Sequence, residues 1–154
     1  MVEKVVNSKE KIGKIVGVNV SREKGTPKKN IKKAFLKKGI GIEGDSHSGN
    51  WHRMLSLLPY EIIEYVNAKG YNFKPGGFAE NLTVKGLDFN NLKIGDTLKL
   101  GDTAIIKITQ KGKEHEDDKF IQSLIGESIL PHHGYFAEVV EEGEIKIGDR
   151  VKIC

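Results

Sequence analysis

The chain has 154 residues, 38% of them hydrophobic and 30% charged, with a net charge of +4 at pH 7. That length fits a single domain over residues 1–154, able to bury its own core without disulfides or a structural metal, and the composition excludes a disordered chain. No window holds the roughly 18 apolar residues that a membrane span needs, and the N-terminal stretch lacks the apolar core of a secretory signal. The one cysteine, Cys154, cannot form an internal disulfide, so a reducing cytoplasm is the expected location.

Along the chain, KIGKIVGVNVS (11–21) carries Ile12, Ile15, Val16, Val18 and Val20 and predicts a strand. The next stretch, 22–38, has eight Lys/Arg and one Glu. It attracts an anionic partner or forms a solvated face; with no aromatic interleaving and no nucleic-acid motif, nucleic acid is disfavoured. Its conformation is open between a short helix on Ile31, Ala34 and Phe35 and a loop leading to a strand. PYEIIEYVNAKG (59–70) predicts a helix, with Pro59 in the first turn, Ile62, Ile63 and Val66 on one side and Gly70 as the stop. Strands are expected over 77–86, 97–102 and 103–113, with Gly101-Asp102 as a two-residue hairpin turn. DDKFIQSLIG (117–126) reads as a second helix, and 134–153 as two strands joined through Glu142-Gly143. Ile-Gly-Asp occurs at 94–96 and 147–149, each time before an alternating strand. So many closely spaced strands imply a mainly β fold with a few helices, a closed or partly closed barrel that hides its edges.

Three segments carry the candidate chemistry. In GIEGDSHSGNWHR (41–53) the alternation of Asp45 and His47 directs both to one side of an extended chain, and His52 and Arg53 follow a bend at Gly49. Asp45, His47 and His52 are candidate metal ligands, with His115, His132 or His133 as a fourth, although no zinc-type spacing is present. The other reading is an aspartate capping a turn beside locally bonded histidines. Arg53 borders the apolar run MLSLL, where a guanidinium needs a phosphate, a carboxylate ligand, or a salt bridge to Asp45 or Glu43. In PGGFAENLTVKG (75–86) a tight turn delivers Glu80 and Asn81 to the start of a strand, as ligand contacts or as satisfiers of turn backbone. In TQKGKEHEDD (109–118) Gln110 and His115 lie between a strand and a helix, or in a solvated loop. His115 and His47 are the candidate acid–base residues.

Together and in this order, these segments resemble the MOSC family, related to the C-terminal domain of the molybdenum-cofactor sulfurases, a pyridoxal-phosphate-associated group. Gly44-Asp45-Ser46-His47-Ser48-Gly49, with Arg53 and Ser56-Leu57 downstream, is similar to one family motif. Pro75-Gly76-Gly77-Phe78-Ala79-Glu80-Asn81-Leu82-Thr83, the following Ile-Gly-Asp and Thr109-Gln110 are similar to the others, and the tail looks like the closing hairpin of short stand-alone members. The match spans about 13–153. The resemblance implies a MOSC-like barrel in which Asp45, His47, Arg53, Glu80, Asn81 and Gln110 line a cleft for molybdenum cofactor (molybdopterin) or a related phosphorylated or metal-containing ligand. It implies sulfur or metal transfer and partners among other molybdenum-cofactor pathway proteins. One departure matters: the sulfur-carrying cysteine expected after Lys-Glu is replaced by His115, and imidazole cannot form a persulfide. The alternative is a non-catalytic binding or regulatory module that keeps the fold without sulfur transfer.

Overall fold

The computed structural model describes residues 12–21, 28–46, 48–51, 53–112, 125–126 and 129–154. His47, His52, His115 and all but the end of the helix expected over 117–126 lie outside them. The strands are β1 (Ile12–Val20), β2 (Lys29–Ile31), β3 (Lys33–Lys37), β4 (Gly41–Ile42), β5 (Leu55–Pro59), β6 (Leu82–Lys85), β7 (Thr97–Leu100), β8 (Ala104–Lys111), β9 (Tyr135–Glu141), β10 (Gly143–Lys146) and β11 (Arg150–Ile153). Helix α1 (Tyr60–Asn67) follows β5, a 3-10 turn covers Phe89–Asn91, and α2 (Leu130–His133) precedes β9. Among the described residues no helix is long and apolar enough to cross a membrane.

Seven strands close into a barrel in the order β1-β11-β7-β8-β9-β5-β6 and back to β1, with β2 added beside β1. Neighbours are antiparallel except β5 and β6, where Leu57 lies opposite Leu82 in a parallel pair. A parallel pair needs a crossover, and α1 lies within it. Side chains alternate across each strand. Leu55 and Leu57, Leu82 and Val84, Ile106 and Ile108, Ala137 and Val139 join the barrel core, capped by Leu36, Ile42 and Ile145 from a second sheet, β10-β3-β4. Ser56, Leu58, Asn81, Thr83 and Phe136 therefore belong to the outer face. Over it α1 packs Ile63 and Val66 against Leu58, Phe78 and Ile129.

Several expectations change. The basic stretch is strand: Lys33, Phe35 and Lys37 are exposed while Leu36 turns into the core, a period of two that a helix cannot supply. Of 77–86 only Leu82–Lys85 is strand, because Gly76 (φ 91°) and Ala79 (φ 69°) hold a turn ahead of it. Leu100 lies opposite Ala104, so the β7–β8 loop has three residues rather than two, with Gly101 at φ 63°. The tail is three strands and no closing hairpin. β9 pairs with β8 and β5, β10 leaves the barrel for β3, and β11 closes it on β1 and β7. The switch occurs at Gly143, where a Cβ would stand 2.3 Å from Thr103 Oγ1.

The two Ile-Gly-Asp segments make the same turn. Asp96 N donates to Lys93 O and Asp149 N to Lys146 O, and the carboxylates accept from Lys93 N (2.8 Å) and Lys146 N (2.9 Å). Gly95 and Gly148 have φ of 97° and 96°, as the third position of such a turn requires. Each glycine N–H also binds the neighbouring strand, at Ile108 O and Ile15 O.

Candidate functional site

Four strands and the residue leading into β6 contribute one lateral row to the outer face of the barrel. Gln110 is opposite Phe136, Phe136 opposite Ser56, and Asn81, which precedes β6, bonds to Ser56 on one side and Asn19 on the other. Asn81 is the hub. Its Oδ1 accepts from Ser56 N (2.9 Å) and Ser56 Oγ (3.1 Å), its N–H donates to Ser56 Oγ (2.9 Å), and its Nδ2 donates to Asn19 O (3.2 Å). These bonds satisfy backbone groups that the parallel pairing of β5 and β6 leaves open at its start.

Glu80 is fully buried and faces the turn before it. Its carboxylate accepts from Thr83 Oγ1 (2.6 Å), Gly76 N (2.9 Å) and Phe78 N (3.2 Å), which fixes the Pro-Gly-Gly turn against the sheet. Burial raises its pKa above the ordinary carboxylate value, partly offset by the Thr83 hydroxyl and the Gly76 amide. Asn19 Nδ2 donates to Thr83 Oγ1 (3.1 Å) and Glu80 O (3.2 Å), and Asn30 reaches Asn19 Oδ1 and Pro75 O, so β1, β2 and the turn share one polar network.

Asp45 is neither exposed nor paired with Arg53. Lys28 Nζ lies 2.6 Å from its Oδ1, both side chains at 0% exposure, and Ser21 N donates to the same oxygen at 3.1 Å. Burial works to raise the Asp45 pKa, but the bonds from Lys28, the Asn81 amide and Ser21 N outweigh it and hold the carboxyl below its ordinary value. Lys28 Nζ also meets Ser46 Oγ (3.4 Å) and Ser21 Oγ (3.5 Å). Glu43, the other carboxylate considered for Arg53, is exposed and 3.9 Å from Lys37.

Arg53, half-buried just before β5, is left without a carboxylate among the described residues. Its guanidinium carbon lies 4.8 Å from the Trp51 ring centroid and 5.9 Å from that of Phe136, and its Nε is buried with no hydrogen-bond partner. The aromatic faces favour the cation but cannot accept from Nε in its own plane, so an in-plane acceptor is missing. Gln110 Nε2 donates to Gly112 O at the end of β8, and Tyr135, beside Phe136, donates to Phe89 O (3.1 Å). Burial and the charge of Asp88 raise the Tyr135 pKa.

His132 and His133 lie on α2, exposed and half-buried, with ring centroids 6.4 Å apart. Among the described residues no three His, Cys, Asp or Glu side chains gather where a metal ion would bind. Cys154 is exposed, its N–H bonded to Thr97 O on β7. Lys152 is opposite Ile12, seven residues and roughly 23 Å along β1 from Asn19, so the C-terminus does not fold back over the row. Sequence reasoning missed Lys28, Asn19 and Phe136, and took Ser56 only as part of a motif. Lys28 was hidden in a run of lysines, but Phe136 and Ser56 could have been found by asking which strand residues fall on the polar parity.

Residues 44–152 match the MOSC domain family. Among solved structures, the YUAD protein from Bacillus subtilis is similar at 20% identity with a TM-score of 0.74, over 92% of this chain and 95% of that one. YiiM from Geobacillus stearothermophilus is similar at 23% identity and 0.71, over 92% and 75%, and YiiM from Escherichia coli at 19% and 0.62, over 93% and 69%. No curated protein sequence matches. The closed barrel with its outer polar row, and a family match across most of its length, make this chain a member of the MOSC domain family.

Proposed function

We propose that this MOSC protein binds an anionic, phosphate-bearing ligand of the molybdenum-cofactor class against Arg53, on the outer face of the barrel. The observation that carries the reading is the buried, unpartnered Arg53 Nε beside Trp51 and Phe136. A phosphate oxygen in the guanidinium plane supplies the missing acceptor, and Arg is the side chain suited to that two-point contact. Ser56 and Asn81 already satisfy each other, so they shape the floor of the site rather than reach for a ligand. Bound here, such a cofactor supplies oxygen- or sulfur-transfer chemistry at its metal; the chain's own part is to hold the phosphate and exclude water beneath it.

We read the protein as a binding and delivery module rather than a sulfur carrier. The single thiol, Cys154, follows β11 and bonds through its N–H to Thr97 O on β7, and residue 115 is histidine where the resemblance calls for cysteine. Its partners are then an anionic small molecule and other proteins of the cofactor pathway, met in a reducing cytoplasm that suits a lone exposed thiol.

The test is to express the wild type and Arg53→Ala in cells that make the cofactor and assay both purified proteins for pterin, phosphate and molybdenum. Ligand in the wild type and its loss in Arg53→Ala are expected. No ligand in either, or equal ligand in both, overturns the proposal. In the same cells Cys154→Ser retains the ligand; sulfur transfer that disappears with that thiol would make the protein a carrier after all.

A further inference from the structure

We propose that Lys28 is the positioning residue of this anion site: its buried ammonium pins Asp45 and, through it, the run of turns that carries Trp51 and Arg53. The inference rests on the anion-binding reading above and adds the residue that builds the site. Lys28 is held from both ends. Its backbone N–H donates to Gly76 O (2.9 Å), in the turn that Glu80 fixes to the sheet, and a Cβ on Gly76 would lie 2.6 Å from Lys28 O. Its Nζ reaches Asp45 Oδ1 at 2.6 Å with no solvent at either group.

From Asp45 the chain proceeds by a series of hydrogen-bonded turns to Trp51. Ser46 N donates to Ser21 O (2.7 Å), Ser48 N and Oγ to Asp45 O (3.0 and 2.7 Å), Gly49 N to Ile40 O (2.8 Å), and Met54 N to Trp51 O (3.2 Å). Among the described residues of 43–54 there is no regular strand or helix, so these turns, with the packing of Trp51 on the barrel core, set where Trp51 and Arg53 point. The anchor at their start is the Asp45 carboxylate, and the only lysine or arginine paired with it among the described residues is Lys28. The pairing also has an electrostatic effect. With Lys28 beside it Asp45 is charge-compensated and the Arg53 charge is left for a ligand; with Lys28 gone, that carboxylate loses its ammonium counter-charge.

Trp51 is the only tryptophan in the chain and stacks on Arg53, so its emission reports the site directly. The wild-type chain, Lys28→Met and Lys28→Met/Asp45→Leu are titrated with inorganic phosphate, following that emission. Amide hydrogen exchange is read over residues 46–54 without ligand. Lys28→Met should bind phosphate roughly tenfold or more weakly, and its protection at Ser46, Ser48, Gly49 and Met54 should fall while β7 and β8 keep theirs. The double variant removes both buried charges, so its melting temperature should recover while phosphate binding stays weak.

Unchanged exchange over 46–54 in Lys28→Met overturns the inference, as does a double variant that regains binding with stability, since that is what a merely structural role predicts. If Lys28→Met does not fold, the double variant carries both readouts. A wild type that gives no phosphate response while exchange behaves as expected overturns the anion reading and leaves the positioning role standing.

Discussion

Asp45 keeps its charge in a place where neither it nor Lys28 meets water. Replacing the pair by apolar groups of similar size is often neutral, but breaking it on one side leaves an uncompensated charge and costs about 3–5 kcal/mol. Because the folded Asp45 pKa is below its ordinary value of 3.8, its stabilising contribution is complete above that value. It is lost as pH falls through the folded pKa. The stability difference between wild type and Asp45→Asn, measured by urea unfolding, should therefore be flat from pH 5 to 7 and shrink in more acidic buffer. A difference that grows on acidification would contradict the pairing. The motif aspartate was visible in the sequence as a polar residue with a purpose. What it pairs with was not, since nothing in a run of eight basic residues marks one lysine as buried.

At the scale of elements, the site depends on how closely the Pro-Gly-Gly turn approaches β1. Gly17 makes that approach possible: a Cβ there would lie 2.6 Å from Pro75 Cβ and 2.8 Å from Thr83 Oγ1. Gly17→Ala should cost about 1–3 kcal/mol in thermal or urea unfolding. It should also loosen amide protection at Gly76 and Phe78, the two N–H groups bonded to Glu80. Most strands were legible because their apolar residues alternate, as in β7 and β8, and α1 because Ile63 and Val66 share a face. Less legible was the path between them. Glu142-Gly143 reads locally as a hairpin turn, yet β10 leaves for β3, since its best partner is more than a hundred residues away in sequence. Arg53 was legible as an anion contact, but its aromatic neighbour was not, for a similar reason: Arg53 and Phe136 become neighbours only once β5 and β9 pair.

At the scale of the whole molecule, β1 and β11 come from the two ends of the described chain and together close the barrel. With the Lys28–Asp45 anchor intact, the site rests on Phe136 of β9 and on a row from β1, β5 and β8, so in the wild type it shares the barrel's cooperativity rather than opening by itself. Val151 is fully buried at that closure, opposite both Gly13 and Leu100. Val151→Asp should lower stability by about 3 kcal/mol or more through an unpaired carboxylate in the core. Trp51 emission and far-UV circular dichroism should then shift to lower urea together. An emission change that precedes the dichroism would mean the site melts independently of the barrel.

The repeated turn has a further consequence for β7 and β11. Their register sets Leu98 opposite Ile153, Leu100 opposite Val151 and Lys99 opposite Lys152, so each strand meets the other's equivalent residues around a local dyad. A dyad forces the central residue to face its own counterpart, and here that places two exposed ammonium groups in direct cross-strand opposition. Self-facing like charges weaken a ribbon by about 0.2–1 kcal/mol, and no conservative exchange made at both positions can relieve them. A single charge reversal, Lys152→Glu, breaks the equivalence and turns repulsion into attraction. It should raise the urea midpoint at low ionic strength, with the gain shrinking as salt is added.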